Sequence, residues 1–175
     1  LTADFLRCER KGLTMARIQG KTSVLGSEFR QIMALRPEIA KPWNALDEAI
    51  RFNGIVDAGL KEEVRRMVAQ HSGCAFCASL GAPKGSYDDP RWAAAVAFGK
   101  AVATNPTDVP DADWQALKEH FSDEEIVELS AWITFMFASE MVGAVMKLQP
   151  ASPEMKTMYN NWIRNGIEKA TRVAS

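Results

Sequence analysis

The stretch Leu60–Gly81, LKEEVRRMVAQHSGCAFCASLG, decides how this chain is read. Leu60, Val64, Met67, Val68 and His71 fall at i, i+4, i+7, i+8 and i+11, one stripe on a helix of 3.6 residues per turn. Gly73 breaks that pattern, and Cys74 and Cys77 follow, three positions apart. Cys74 to Leu80 has the length of a short helix, stopped by Gly81, Pro83 and Gly85. Two cysteines spaced i, i+3 on a first helical turn share a face, and the amide groups of that turn favour the thiolate of the first. The second can then close a disulfide on the oxidised sulfur before it oxidises further, although the spacing does not settle which of the two attacks.

Outward from this stretch the period stays helical. Ser27 is an N-cap for SEFRQIMALRPEIA, which Pro37 punctuates, and Pro42 is expected to open PWNALDEAIRFNG, closed by Asn53-Gly54. Downstream, Asp89-Pro90 supplies N-cap and first helical residue for the Ala-rich PRWAAAVAFGKAVA. A further helix starts near Pro110. Ser122 with Glu125 forms a capping box that opens the longest helix, Asp123 to about Leu148. Ser152-Pro153 starts the last helix, on which Met155, Met158, Tyr159, Trp162 and Ile163 share a face as packing or pocket wall. No run alternates like a half-buried strand. The expectation is an all-α single domain of about six to eight helices over residues 15–175, with Leu1–Thr14 as an N-terminal extension or arm.

Composition narrows the function. A chain of 175 residues with 47% hydrophobic residues can bury a full core. The formal charge of −1 provides no footprint for nucleic acid or an anionic membrane. The longest apolar run, Ile126–Met146, is interrupted by Glu128 and Glu140 and reads as a core helix rather than a membrane span. The first residues lack the layout of a secretion signal, so the cytoplasm is the expected compartment. Three cysteines do not make a secreted disulfide framework, and a close pair in a reducing compartment is catalytic or metal-binding.

Three readings of the pair compete. In the redox reading, Glu62, Glu63 or His71 moves protons. In a zinc reading, His71, Cys74 and Cys77 are joined by Cys8 or His120, but the second cysteine knuckle of a structural zinc site is missing. In the third, both cysteines are buried and structural. A thioredoxin domain is excluded by the absence of a βαβ pattern around the pair. The wheel puts Glu62 opposite the apolar stripe, where it is a surface residue paired with Arg66 at i+4. His71 lies on the stripe and reads as a hydrogen-bonded core residue or a proton carrier. Glu140, inside an apolar helix, needs a partner or a proton. Trp43, Trp92, Trp114, Trp132 and Trp162 fall at helical positions as core or interface anchors.

The same stretch resembles the core motif of the alkylhydroperoxidase D-like and carboxymuconolactone decarboxylase superfamily: a Glu, eleven residues, Cys-x-x-Cys, three residues, then His. Glu62, Cys74 and Cys77 match it, whereas the His position is Gly81 and the segment after it, GAPKGSYDDP, is short. The resemblance extends over about Met15 to Leu148. It implies an all-helical fold assembled as trimers or hexamers, and thiol-dependent reduction of hydroperoxides by Cys74 and Cys77, with Glu62 in the proton relay and His71 the nearest substitute for the missing His. No cofactor and no metal are implied. The partners implied are a small-molecule hydroperoxide and a thiol reductant, with no nucleic acid or membrane. Two alternatives stand beside it. One is a cofactor-free decarboxylase that holds a substrate carboxylate with Arg51, Arg65 or Arg66. The other is a non-enzymatic helical oligomer on the same scaffold.

Overall fold

Helix α3, Ala58–His71, is the axis around which the chain folds. The structure, a computed structural model, describes residues 16–174, so the expected arm Leu1–Thr14, with Cys8, lies outside the described residues. Among the described residues there are eight helices and no strand. The others are α1 Glu28–Met33, α2 Pro37–Phe52, α4 Ala75–Ser79, α5 Pro90–Thr104, α6 Asp111–His120, α7 Asp123–Met146 and α8 Pro153–Ala174. α3 packs on α2, α4, α5, α7 and α8.

The stripe of α3 makes the core. Leu60, Val64 and Val68 are buried against Ala95 and Phe98 of α5, Leu117 of α6, and Leu129, Trp132, Ile133 and Met136 of α7. The alanines of α5 permit close approach, and at Gly99 a Cβ would stand 2.8 Å from Val64 Cγ1. Trp132, the one tryptophan sealed completely, donates Nε1–H to the Lys61 carbonyl at 2.8 Å.

Local signals place the helix starts. Ser27, Asp57 and Asp89 each accept a backbone N–H of the first turn, and the Ser122–Glu125 capping box is reciprocal. Pro42 is a correction. α2 starts at Pro37 and runs through Pro42, which therefore interrupts one i→i−4 bond instead of opening the helix. The expectation that no run is long and charge-free enough to span a bilayer is corrected at α7, which passes by length and composition alone. Here its Leu129, Trp132, Ile133 and Met136 are core, while Val127, Met141 and Val145 are exposed.

A polar latch ties α2, α3 and α7 together. The Lys61 ammonium is fully buried and donates to the carbonyls of Ile50 at 2.8 Å and Asn53 at 2.7 Å. It also pairs with Glu128 Oε1 at 2.5 Å. The Glu128 carboxylate in turn accepts from the backbone N–H of Ile55 at 2.8 Å and Val56 at 3.2 Å. Gly54, at φ 109°, lets the backbone pass against that carboxylate, where any Cβ would collide with it.

Candidate redox site

Cys74 is the N-cap of α4 rather than its first helical residue. Cys74 and Cys77 form a disulfide with Sγ–Sγ 2.17 Å and Cα–Cα 5.3 Å. The Cys77 N–H donates to Cys74 Sγ at 3.1 Å, so the sulfur takes the role that a Ser or Asp oxygen has at other caps. The two sulfurs differ in access. Cys74 is 1% exposed, whereas Cys77 is half-buried and lines a cavity of about 370 Å³. Behind the pair stands Gly143 of α7, where a Cβ would be 2.5 Å from Cys74 Sγ and 3.4 Å from Cys77 Sγ. Only the packing of α7 on α4 reveals that glycine; nothing in its sequence context signals it.

Glu62 is buried, contrary to the surface position read from the wheel. Its face of α3 is covered by α2 and α8, which bring Arg51 and Tyr159 onto it. Glu62 accepts from Arg65 Nε at 3.0 Å and Nη2 at 2.8 Å, Arg51 Nη1 at 3.3 Å, Arg66 Nε at 3.2 Å and the Tyr159 hydroxyl at 2.9 Å. Burial alone would push its carboxyl up, but Arg65, Arg51 and the Tyr159 hydrogen bond outweigh it and hold the pKa below the usual carboxylate value. Burial, first of all, holds the Tyr159 phenol above its ordinary value, so it stays a donor. Arg65 connects this cluster to the cysteines, because its Nη1 also donates to the Cys77 carbonyl at 3.3 Å. Glu63 is buried too, but serves the loop before α5, accepting from the Tyr87 hydroxyl at 2.8 Å and the Lys84 N–H.

The cavity wall combines Trp43, Phe76, Met136, Met155, Tyr159 and Trp162 with six charged residues, Arg51, Arg65 and Glu140 deep in it and Arg30, Asp47 and Glu48 beside them. The Met-rich face of α8 is thus a pocket wall. Glu140 is 3% exposed, and neither of its oxygens meets a donor in hydrogen-bond geometry among the described residues. Burial pushes its carboxyl up to about 7, against the pull of Arg65, the Ser72 hydroxyl and Arg51.

The structure therefore brings Cys74, Cys77 and, through Arg65, Glu62 together, but it does not bring His71 to them. His71 is the last residue of α3, exposed, with Nδ1 3.1 Å from the Met67 carbonyl, and does not line the cavity. The apolar stripe ends at Val68, since Ser72 caps the helix and the chain turns away into α4. At Gly81, with φ 155°, Arg66 Nε lies 3.2 Å from the place of a Cβ, so a guanidinium occupies the neighbourhood where the resemblance puts a His. Among the described residues no group of three His, Cys, Asp or Glu is placed to hold a metal. His120 ends α6, where its carbonyl accepts from Arg91.

With its CxxC pair capping a short helix against a central one, this all-helical chain has an alkylhydroperoxidase D-like fold by comparison with a solved structure. The crystal structure of a protein of unknown function from Agrobacterium tumefaciens, a provisional antioxidant defence protein AhpD, superposes with a TM-score of 0.57. The two are 20% identical, over 69% of this chain and 95% of that one. No family model and no curated protein matches the sequence. The fold and the Cys74–Cys77 pair at disulfide distance fit a CxxC redox role.

Proposed function

We propose that this protein is a thiol-dependent peroxidase that reduces small organic hydroperoxides by dithiol–disulfide cycling of Cys77 and Cys74. The observation that carries it is the asymmetry of access: Cys77 faces the cavity and Cys74 is sealed behind it. The Cys77 thiolate attacks the distal peroxide oxygen, the O–O bond breaks, and alcohol leaves as Cys77 becomes a sulfenic acid. Cys74 then attacks the Cys77 sulfur and water leaves, giving the disulfide. A dithiol reductant reopens it by attacking the accessible Cys77 sulfur. The departing Cys74 thiolate is stabilised by the Cys77 N–H, and a better leaving thiolate exchanges faster.

Several features support this over the decarboxylase alternative. Arg51, Arg65 and Arg66 would have to hold a substrate carboxylate, but all three are engaged by Glu62. The mostly apolar wall suits an organic rather than an inorganic peroxide. Cycling of this kind belongs in a reducing compartment such as the cytoplasm. The exposed Val127, Met141 and Val145 along α7 favour assembly with further copies as a trimer or hexamer.

Free thiols counted before and after a stoichiometric pulse of tert-butyl hydroperoxide, on a Cys8→Ser background, test the function. Two thiols should vanish and return with dithiothreitol. Cys77→Ser should abolish the reaction, and Cys74→Ser should stop at a sulfenic acid that dimedone traps. Intact thiols with persisting peroxide would sink the proposal.

A further inference from the structure

Glu140 is a buried carboxylate of the cavity with no donor in hydrogen-bond geometry among the described residues. It lies three residues before Gly143, the position that touches both sulfurs. Residues three apart on a helix are neighbours on one face, about 5–6 Å between Cβ atoms. Glu140 thus stands one turn from the disulfide on the side of α7 that meets α4, in the cavity that Cys77 lines. Leaving a buried carboxylate without donors costs stability, and such arrangements concentrate where a reaction uses the group. Glu62 is a poor proton carrier by comparison. Three guanidiniums and a phenol hold it ionised.

We propose that Glu140 is the proton carrier for Cys77, taking the proton of its thiol and returning it to the alkoxide that leaves the peroxide. This role rests on the peroxidase function proposed above. The Glu140 carboxylate accepts the thiol proton, and the Cys77 thiolate attacks the distal oxygen of the hydroperoxide. The O–O bond breaks, the alkoxide takes the proton from Glu140 and departs as alcohol, and Cys77 is a sulfenic acid beside a regenerated carboxylate. The Cys74 thiol closes the disulfide as its proton leaves with hydroxide as water. Two thiols and one hydroperoxide have become a disulfide, an alcohol and a water.

The surroundings suit that exchange. Arg65 and Glu62 of α3, Arg51, Asp47 and Glu48 of α2, Arg30 of α1 and Tyr159 of α8 are the charged and titratable groups on this side, with the sulfurs on α4. The charged contact of α5 with α7, Arg91 to Glu125, lies at the opposite end of α7, next to the end of α6. A carboxyl raised to about 7 populates both its forms near neutral pH, the condition for general acid–base work.

Reduced wild type, Glu140→Gln and Glu140→Asp are alkylated with iodoacetamide from about pH 5 to 9, with Cys77 adducts located by mass spectrometry and hydroperoxide-driven thiol loss followed in parallel. A coupled thiol–carboxyl pair titrates in two steps. Wild type and Glu140→Asp should show both, the wild-type step of the carboxyl near 7, and Glu140→Gln should show one. Thiol loss at neutral pH should fall roughly 100-fold in Glu140→Gln and recover in part in Glu140→Asp. Superimposable alkylation profiles for wild type and Glu140→Gln overturn the role of Glu140, whatever the peroxide does. A two-step profile in a wild type that consumes no hydroperoxide supports proton exchange with Cys77 and overturns the peroxidase function instead.

Discussion

Lys61 and Glu140 are both buried charged side chains, on neighbouring helices of one core, yet their surroundings are opposite. The Lys61 ammonium has three acceptors for its three protons. Glu140 has two oxygens and no donor in hydrogen-bond geometry among the described residues. The first arrangement holds the bend between α2 and α3 rigidly onto α7. The second leaves a carboxyl able to change its protonation in the cavity that Cys77 lines. Satisfied polar burial holds a fold together, whereas unsatisfied polar burial costs stability and concentrates at functional sites.

Breaking the satisfied side should cost most. Lys61→Ala leaves the Glu128 carboxylate without its buried cation and orphans two carbonyls, a loss of about 3–5 kcal/mol in urea unfolding. Wild-type-like stability would mean that the latch is dispensable.

The unsatisfied side should appear in the pH dependence of stability. Glu140 is raised in the folded state, so the folded protein binds its proton more tightly than the unfolded chain does. Its contribution is full at acid pH below its unfolded value and is lost as pH rises through about 7. That shift corresponds to roughly 3 kcal/mol between the two limits. Glu62, held low, has the opposite sign, and its contribution is lost as pH falls through its depressed folded value. Comparing unfolding of wild type and Glu140→Gln across pH isolates the first effect, and the variant should gain on wild type as pH rises from the ordinary carboxyl value to about 7. Parallel curves would place Glu140 in a more polar setting.

Gly143→Ala inserts a methyl against Cys74 Sγ and should cost about 1–3 kcal/mol. Cys74→Ala in the same chain should recover much of that cost, and strict additivity of the two changes would contradict the contact. The smallest effect belongs to Ser122→Ala, which removes one half of the capping box at the start of α7. About 1 kcal/mol should be lost, visible as a small shift in Tm.

The helices were legible where short-range physics sets them. Asp89-Pro90, Ser122 with Glu125, and Ser152-Pro153 each mark a helix start within one turn of sequence. Pro42 misleads for the same reason, since Pro37 had already supplied the first-turn signal and the packing of α2 tolerates one missing hydrogen bond. The cysteine pair was legible from spacing and from family resemblance. The fates of Glu62 and His71 were not. A helical wheel gives one helix a single buried face, whereas α3 is packed on by five others and hides Lys61, Glu62 and Glu63 as well as its apolar stripe.

By itself, then, the sequence determined an all-helical chain with a CxxC turn behind a central helix. Periodicity, caps and spacing act over a few residues and need no knowledge of the fold. Only the tertiary structure decided which sulfur faces the cavity, which carboxylate is saturated and which is left bare. Those outcomes depend on what α2, α7 and α8 bring across from distant positions: Arg51, Gly143 with Glu140, and Tyr159. Burial and charge pairing are properties of the assembled neighbourhood, and no single stretch of the chain contains it.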